Sequence, residues 1–310
     1  AANLRFVSAT VVSGGTWTLS NTGTDTFPVI ADTITGIDIP AGQQAVIDIT
    51  VELLNTSTNN SGLTFINSAS YTYNSANGNG TTQSVGGVGS TLDMTVVEPA
   101  VTAATKTVSN VTVAKQPTDP AAVGDVLEYV VTVPNSGNST AFDTNIVDTL
   151  PVNVSLVPGS ATAQINGVAV TGFVATPAGA PGGPLVWGYA NGDGSLDIPA
   201  GQSLVLTYRV TVVSVNGMPF NNSVYVDWTS LQNAVDGERT GAGCPAITAP
   251  NDYCYGPVTA TVSTIDPTTI AKSVVSDSWD SGLSTNAASI LRVGDTVVYR
   301  LALTLREGQL

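Results

Sequence analysis

The hexapeptide Asp38-Ile39-Pro40-Ala41-Gly42-Gln43 returns, residue for residue, as Asp197-Ile198-Pro199-Ala200-Gly201-Gln202, 159 positions further on (197 against 38). The segments after the two copies share a pattern. Ile47, Ile49, Val51 and Leu53 alternate with Asp48, Thr50 and Glu52. Leu206, Tyr208, Val210 and Val212 alternate with Thr207, Arg209 and Thr211. Period-two alternation of this length is the signature of a half-buried strand. The Pro-Ala-Gly before it supplies the turn that feeds the strand. A chain that repeats a turn-plus-strand element at this distance is a tandem-repeat, all-β protein, and the repeat decides the architecture before any single residue does.

The 310 residues exceed what one sandwich-sized core accommodates, so two or three units are expected. Thr, Ser, Val, Asn and Gly dominate and only 10% of residues are charged, which favours β-branched strands joined by Gly/Asn/Pro turns. The formal charge of −14 argues against nucleic acid, whose binding rests on Lys and Arg neutralising phosphates. The acidity reads as solubility and mutual repulsion, with cation gathering by some carboxylates as the other option. There is no His, which removes the commonest general base and the commonest transition-metal ligand together. No Ser/His/Asp set, phosphate loop or paired catalytic carboxylates stand out, so no enzyme and no cofactor are expected. No apolar run approaches the ~18 residues of a membrane span. The chain opens Ala-Ala-Asn without an initiator Met, as a processed product or an excerpt of something longer would.

Three units are expected. The first, 1–103, carries strands at Leu4–Thr10, in the repeated segment, at Phe65–Tyr73 and at Thr91–Val97, with a low-complexity loop from Asn74 to Ser90. The second, 104–264, opens with Ala104-Thr105-Lys106-Thr107-Val108 and continues with a strong strand after Val123-Gly124-Asp125. A strand from Phe142 to Val147 then ends at Asp148-Thr149-Leu150-Pro151, and a Pro/Gly-rich loop runs from Ala175 to Pro184. Its Phe220-Asn221-Asn222-Ser223 answers Phe65-Ile66-Asn67-Ser68. The third, 265–310, is only a beginning: Ile270-Ala271-Lys272-Ser273-Val274 echoes Ala104–Val108, and Val293-Gly294-Asp295 echoes Val123-Gly124-Asp125.

Lys106-Thr107-Val108, Val123-Gly124-Asp125, Val131-Thr132-Val133-Pro134-Asn135-Ser136-Gly137, Val147-Asp148-Thr149-Leu150-Pro151 and Gly159-Ser160-Ala161-Thr162, in that order, resemble the prokaryotic extracellular surface repeat of unknown function, found in isopeptide-forming fimbrial and adhesin-type proteins. The resemblance covers the second unit fully and the others in part. It implies tandem immunoglobulin-like β-sandwich domains, an extracellular or cell-surface location, and a structural or adhesive role without catalysis.

The first unit begins at the counterpart of about Pro151 and lacks opening strands, whereas the third supplies opening strands alone. Sandwiches missing strands expose unpaired backbone and an open core. Two readings are open. Either the window belongs to a longer array whose adjoining repeats complete the broken units, or residues 265–310 of one subunit complete 1–103 of the next. The second is a head-to-tail donation that builds a fibre.

Cys244 and Cys254 bracket a turn-rich loop and are expected to form a disulfide. An isopeptide bond needs a Lys amine, an Asn amide and a protonated acid together in an apolar core. The candidates are Lys106 and Lys272 at equivalent early positions, and Asn222 and Asn67 at equivalent late ones. No acid is evident: Glu128 falls on the outward phase of its strand, and Asp125 and Asp295 lie in turns. Asp193 and Asp197 form a candidate calcium loop, for which a plain turn is the competing reading. Among the N-x-Ser/Thr sequons, those at Asn55, Asn59, Asn79 and Asn138 fall in expected loops and are the glycosylation candidates. Trp17, Trp187, Trp228 and Trp279 are packing residues or sugar platforms. The expected function is therefore a stalk or filament built from sandwich repeats. The alternative is an adhesin that binds a glycan or protein through loops such as 74–90 or 175–184.

Overall fold

The computed structural model describes residues 3–74, 82–179, 183–193, 196–215, 219–264, 269–277, 293–294 and 296–304. Its regular structure is β, with a single 3-10 turn at Tyr189–Asn191 among the described residues.

The first unit holds β1 (Leu4–Ser13), β2 (Leu19–Asn21), β3 (Ile30–Asp32), β4 (Val46–Leu53), β5 (Thr64–Asn74) and β6 (Thr82–Thr95). They form three separate antiparallel pairs: β1 with β4, β2 with β3, and β5 with β6. The alternation read from the sequence is present, yet its apolar phase meets no opposite layer among the described residues. Ile49 is 49% exposed and Tyr71 61%. Ladders satisfy backbone groups locally, but burial needs a second layer.

The second unit is a complete sandwich. One sheet runs β12 (Val168–Ala169), β11 (Thr162–Ile165), β14 (Ser203–Val212), β8 (Val126–Pro134), β7 (Thr105–Asn110), with β10 (Val154–Leu156) also pairing β14. The facing sheet runs β13 (Leu185–Gly188), β9 (Phe142–Thr149), β15 (Phe220–Thr229), β16 (Cys254–Val262). β8 alternates buried and half-buried positions along its whole length and β15 along most of its own, which is the period-two pattern made into a core. Trp187, Tyr129, Tyr208, Ile146 and Leu206 are fully buried between the sheets. β9 runs through Asp148 to Thr149 rather than stopping at Val147.

The repeat extends to the pairing itself. Val154 stands opposite Val212 on β14 as Leu4 stands opposite Leu53 on β4. The Val213 amide donates to Asn153 O (2.8 Å) as the Leu54 amide donates to Asn3 O (2.9 Å). At the other end, β17 (Thr269–Asp277) and β18 (Val297–Thr304) form a hairpin that reproduces β7–β8. Lys106 pairs with Val131 and Val108 with Tyr129. Lys272 pairs with Leu301 and Val274 with Tyr299.

The first two units meet at Arg239. Its guanidinium pairs with Glu98 and donates to Thr56 O (2.6 Å), Asn59 O (2.9 Å) and Asn55 Oδ1 (3.2 Å). The Tyr253 hydroxyl donates to the same Glu98 carboxylate at 3.0 Å. A fan of donors on one side chain, meeting backbone carbonyls and a carboxylate, suits the fixed fork of arginine. Close approach is also required at Gly137, where a Cβ would stand 2.4 Å from Glu98 O.

Candidate cross-linking site

Lys106, Asp148 and Asn222 come together in the core of the second unit, the first from one sheet and the other two from the facing sheet. Each sits on the inward phase of its strand. Lys106 is 6% exposed, Asp148 and Asn222 0%, and the Lys106 and Asp148 side chains are wholly without solvent contact. Lys106 Nζ pairs with Asp148 Oδ2. The Tyr208 hydroxyl donates to the same oxygen at 2.5 Å and accepts from Asn222 Nδ2 at 3.1 Å. Lys106 Nζ also lies 5.0 Å from the centroid of the Tyr129 ring, and Tyr129 stacks on Tyr208 with centroids 5.4 Å apart. Trp187 closes the pocket at 4.9 Å from Tyr208.

The electrostatics come from dryness. Burial is the largest influence on both members of the pair: it pushes Asp148 above the usual carboxylate range and draws Lys106 below the usual amine range, and each partner's charge opposes this. Burial thus pushes the carboxyl toward keeping its proton and the amine toward losing its own. The hydrogen-bond inventory is compatible with this. Asp148 Oδ1, Asn222 Oδ1 and the Tyr129 hydroxyl are all buried without a partner, and either a proton on the carboxyl or the Tyr129 hydroxyl can supply a donor to the orphaned acceptors.

Sequence reasoning singles out Lys106 as the equivalent of Lys272 and Asn222 as the equivalent of Asn67, but misses the acid. In sequence Asp148 reads as the turn that ends a strand, although it lies in phase with Ile146, two residues before it on the inward face of β9. That phase is the available signal. Glu128 does point outward, pairing with Arg209 at 2.9 Å. Asp125 accepts from Asn110 Nδ2 and the Ala122 amide, both at 2.9 Å, and so serves the turn. Lys272 lies 4.0 Å over the Tyr299 ring, exposed on its hairpin, and Asn67 is exposed on β5; neither is brought to the other or to an acid among the described residues. Asp295 lies outside the described residues.

The remaining candidates divide. Cys244 and Cys254 are joined by a disulfide, with Cα atoms 5.7 Å apart. Asp193 accepts from the Val174 amide (3.2 Å) and Asp197 from the Asp143 amide (2.9 Å), so both carboxylates brace loop backbone; no group of three metal-ligating side chains is found among the described residues. Asn59 is a correction. It is 2% exposed and donates its amide to Leu54 O (2.7 Å) and Asn3 O (3.2 Å), which leaves no room for a glycan. Asn55 donates to Glu238 O (2.9 Å), and Asn138 accepts from the Glu98 amide (2.8 Å); both are contacts between the first two units. Asn79 and Trp279 lie outside the described residues. Trp187 and Trp228 are core residues rather than exposed platforms. Parts of the 74–90 and 175–184 loops also lie outside the described residues.

No protein-family model matches the chain, and no curated protein matches it by sequence. Solved structures that match the chain include domains D2 and D3 of the major pilin SpaD from Corynebacterium diphtheriae (12% identity, 58% of this chain and 57% of that one, TM-score 0.36). BcpA, the major pilin subunit of Bacillus cereus, matches at 12% identity over 80% of this chain and 64% of its own, with a TM-score of 0.33. The collagen-binding domain of a Staphylococcus aureus adhesin matches at 12% identity over 45% of this chain and 88% of its own, with a TM-score of 0.27. The chain thus spans less than two thirds of either pilin structure.

Proposed function

We propose that this chain is a structural, non-enzymatic element of the bacterial exterior, building a stalk or filament from β-sandwich units, with its complete unit stapled by an isopeptide bond between Lys106 and Asn222. One observation carries the reading: an amine, an acid and a carboxamide share a solvent-inaccessible core, with burial favouring the neutral form of both titrating groups.

The chemistry needs nothing from outside. The Nζ lone pair of neutral Lys106 attacks Cγ of Asn222 while the Asp148 carboxyl polarises the carboxamide. The Nζ–Cγ bond forms, the Cγ–Nδ2 bond breaks, and a proton passed from Nζ through Asp148 leaves with Nδ2 as ammonia. Fixed neighbours and burial away from solvent supply proximity and a weakly screened field. The bond would tie the two sheets together covalently, as suits a chain under tension.

Strand donation of 265–310 to the 1–103 unit of the next subunit is the assembly mode this reading favours. The β17–β18 hairpin repeats the opening strands β7 and β8 of the second unit, and the first unit carries counterparts of β10, β14 and β15 without that opening pair among the described residues, while the counterpart of β9 (Phe142–Thr149) falls in neither sequence segment. An extracellular location accords with the disulfide and with the absence, among the described residues, of a helix long and apolar enough to cross a membrane.

Intact mass of the reduced, denatured chain tests the bond. One ammonia should be missing in the wild type and present in Asn222→Ala. Full sequence mass in folded wild-type protein would end the proposal, as would a deficit that survives Asn222→Ala. Electron microscopy of the native material tests the filament: chains that stay monomeric at high concentration would rule it out.

A further inference from the structure

Among the described residues each incomplete unit has an edge strand whose counterpart in the second unit is paired on both sides, and these two edges are complementary. In the complete unit β8 pairs on one side with β7 and on the other with β14. In the hairpin, β18 has β17 on the first side and no partner on the second among the described residues. In the first unit, β4 has β1 where β14 has β10 and β11, and no described partner on the side where β14 meets β8. Both strands are eight residues long.

We propose that β18 of one copy of this chain pairs antiparallel with β4 of a second copy, in the register that β8 and β14 already use. The proposal rests on the filament reading and gives it an edge, a register and a polarity. Tyr129 faces Tyr208 and Val131 faces Leu206 in the complete unit. Their repeat counterparts, found from the Val-Gly-Asp and Asp-Ile-Pro-Ala-Gly-Gln copies, set Tyr299 against Ile49 and Leu301 against Ile47. Tyr299 and Ile49 are each 49% exposed and Leu301 59%, so the pairing covers apolar surface that the single chain leaves to water.

Charge supports the register independently. On the outward face Thr207 stands opposite Val130. The counterparts of these two are Asp48 and Arg300, in a chain with only nine Lys and Arg. Both are exposed, and neither takes part in an ion pair among the described residues. A shift of one residue would put Arg300 opposite an uncharged neighbour and turn every inward side chain outward.

The ends of the complete unit favour a second copy over the chain's own first unit. The first unit contacts Asn138, beyond the C-terminal end of β8. The third unit comes after Thr264, which bridges Ala121 at the opposite end of that strand. Donor and acceptor therefore leave opposite ends of one sandwich, the condition for a head-to-tail contact that does not close.

The test uses the full chain. Sedimentation of the wild type, Asp48→Arg, Arg300→Glu and the double variant reads the charge pair. Each single reversal should weaken association several-fold, and the double reversal should recover it. Mixing an Ile49→Cys chain with a Tyr299→Cys chain under mild oxidation should give a two-chain disulfide product. Association without charge rescue and without that product would overturn the register while leaving the filament standing. No association at all would overturn both. A double-cysteine chain that oxidises only within itself would overturn the second copy as the occupant.

Discussion

Lys106 and Asp148 face each other across the two sheets of the complete unit, and neither side chain touches solvent. An ion pair so placed costs several kcal/mol per charge to desolvate, and its mutual attraction seldom returns more than that. The pair stands beside an otherwise unpartnered Asn222 Oδ1, the arrangement that the proposed cross-link needs. Each residue also has a distinct dependence on its neighbours.

Removing the acid should hurt more than removing the amine. Asp148→Ala takes away the hydrogen-bond partner of both Lys106 and Tyr208 and should cost roughly 1–3 kcal/mol for each buried donor left unpaired. Lys106→Met leaves Asp148 still bonded to the Tyr208 hydroxyl and should cost less. Urea unfolding of the two variants, neither of which can form the cross-link, compares them directly. Equal losses would show that the pair is not organised around the carboxyl.

Arg239→Ala should loosen the joint between the first two units without disturbing the second. Glu98 would lose its guanidinium partner while staying poorly exposed, at a cost of about 2–4 kcal/mol at the interface. The segment around residues 98–104 should become the first site of limited proteolysis. Unchanged cleavage would mean that the contacts made by Arg239 are dispensable.

Cys254→Ser opens a loop closed across a sequence separation of 10, which should destabilise that loop by roughly 2–3 kcal/mol. The same loop carries Asn251, whose side chain meets Asn55, and Tyr253, which reaches Glu98. Hydrogen exchange in residues 55–59 should therefore rise in the variant, at a distance in sequence from the lost bridge. Faster exchange confined to the loop itself would refute that coupling.

Asp227 gives a pH signature. Burial raises its carboxyl to about 6, against the single bond it accepts from Asn145 at 2.8 Å. The folded state thus holds its proton more tightly than the unfolded state. The stabilisation is fully present below about 4 and is lost as pH rises through about 6. Asp227→Asn should raise the melting temperature at pH 8, by at most about 3 kcal/mol in stability terms, and the gain should vanish toward pH 4. A gain independent of pH would assign the effect to something other than titration.

Much of this protein is written in local pattern. The Asp-Ile-Pro-Ala-Gly-Gln copies, the period-two strands after them and the Lys106/Lys272 and Asn222/Asn67 equivalences need only the chain read in order, because alternation and turn chemistry act between near neighbours. Asp148 does not yield to that reading. It meets Lys106 from 42 residues away, and only the stacking of β9 across from β7 and β8 makes its strand-end position an inward one. Arg239 and Glu98, 141 residues apart, are a second case. Sequence pattern determined which faces are apolar and which elements repeat. Which strands become neighbours, and so which lone carboxylate is shut in with which amine, was decided by tertiary packing, because burial and proximity are properties of the assembled layers and not of any one strand.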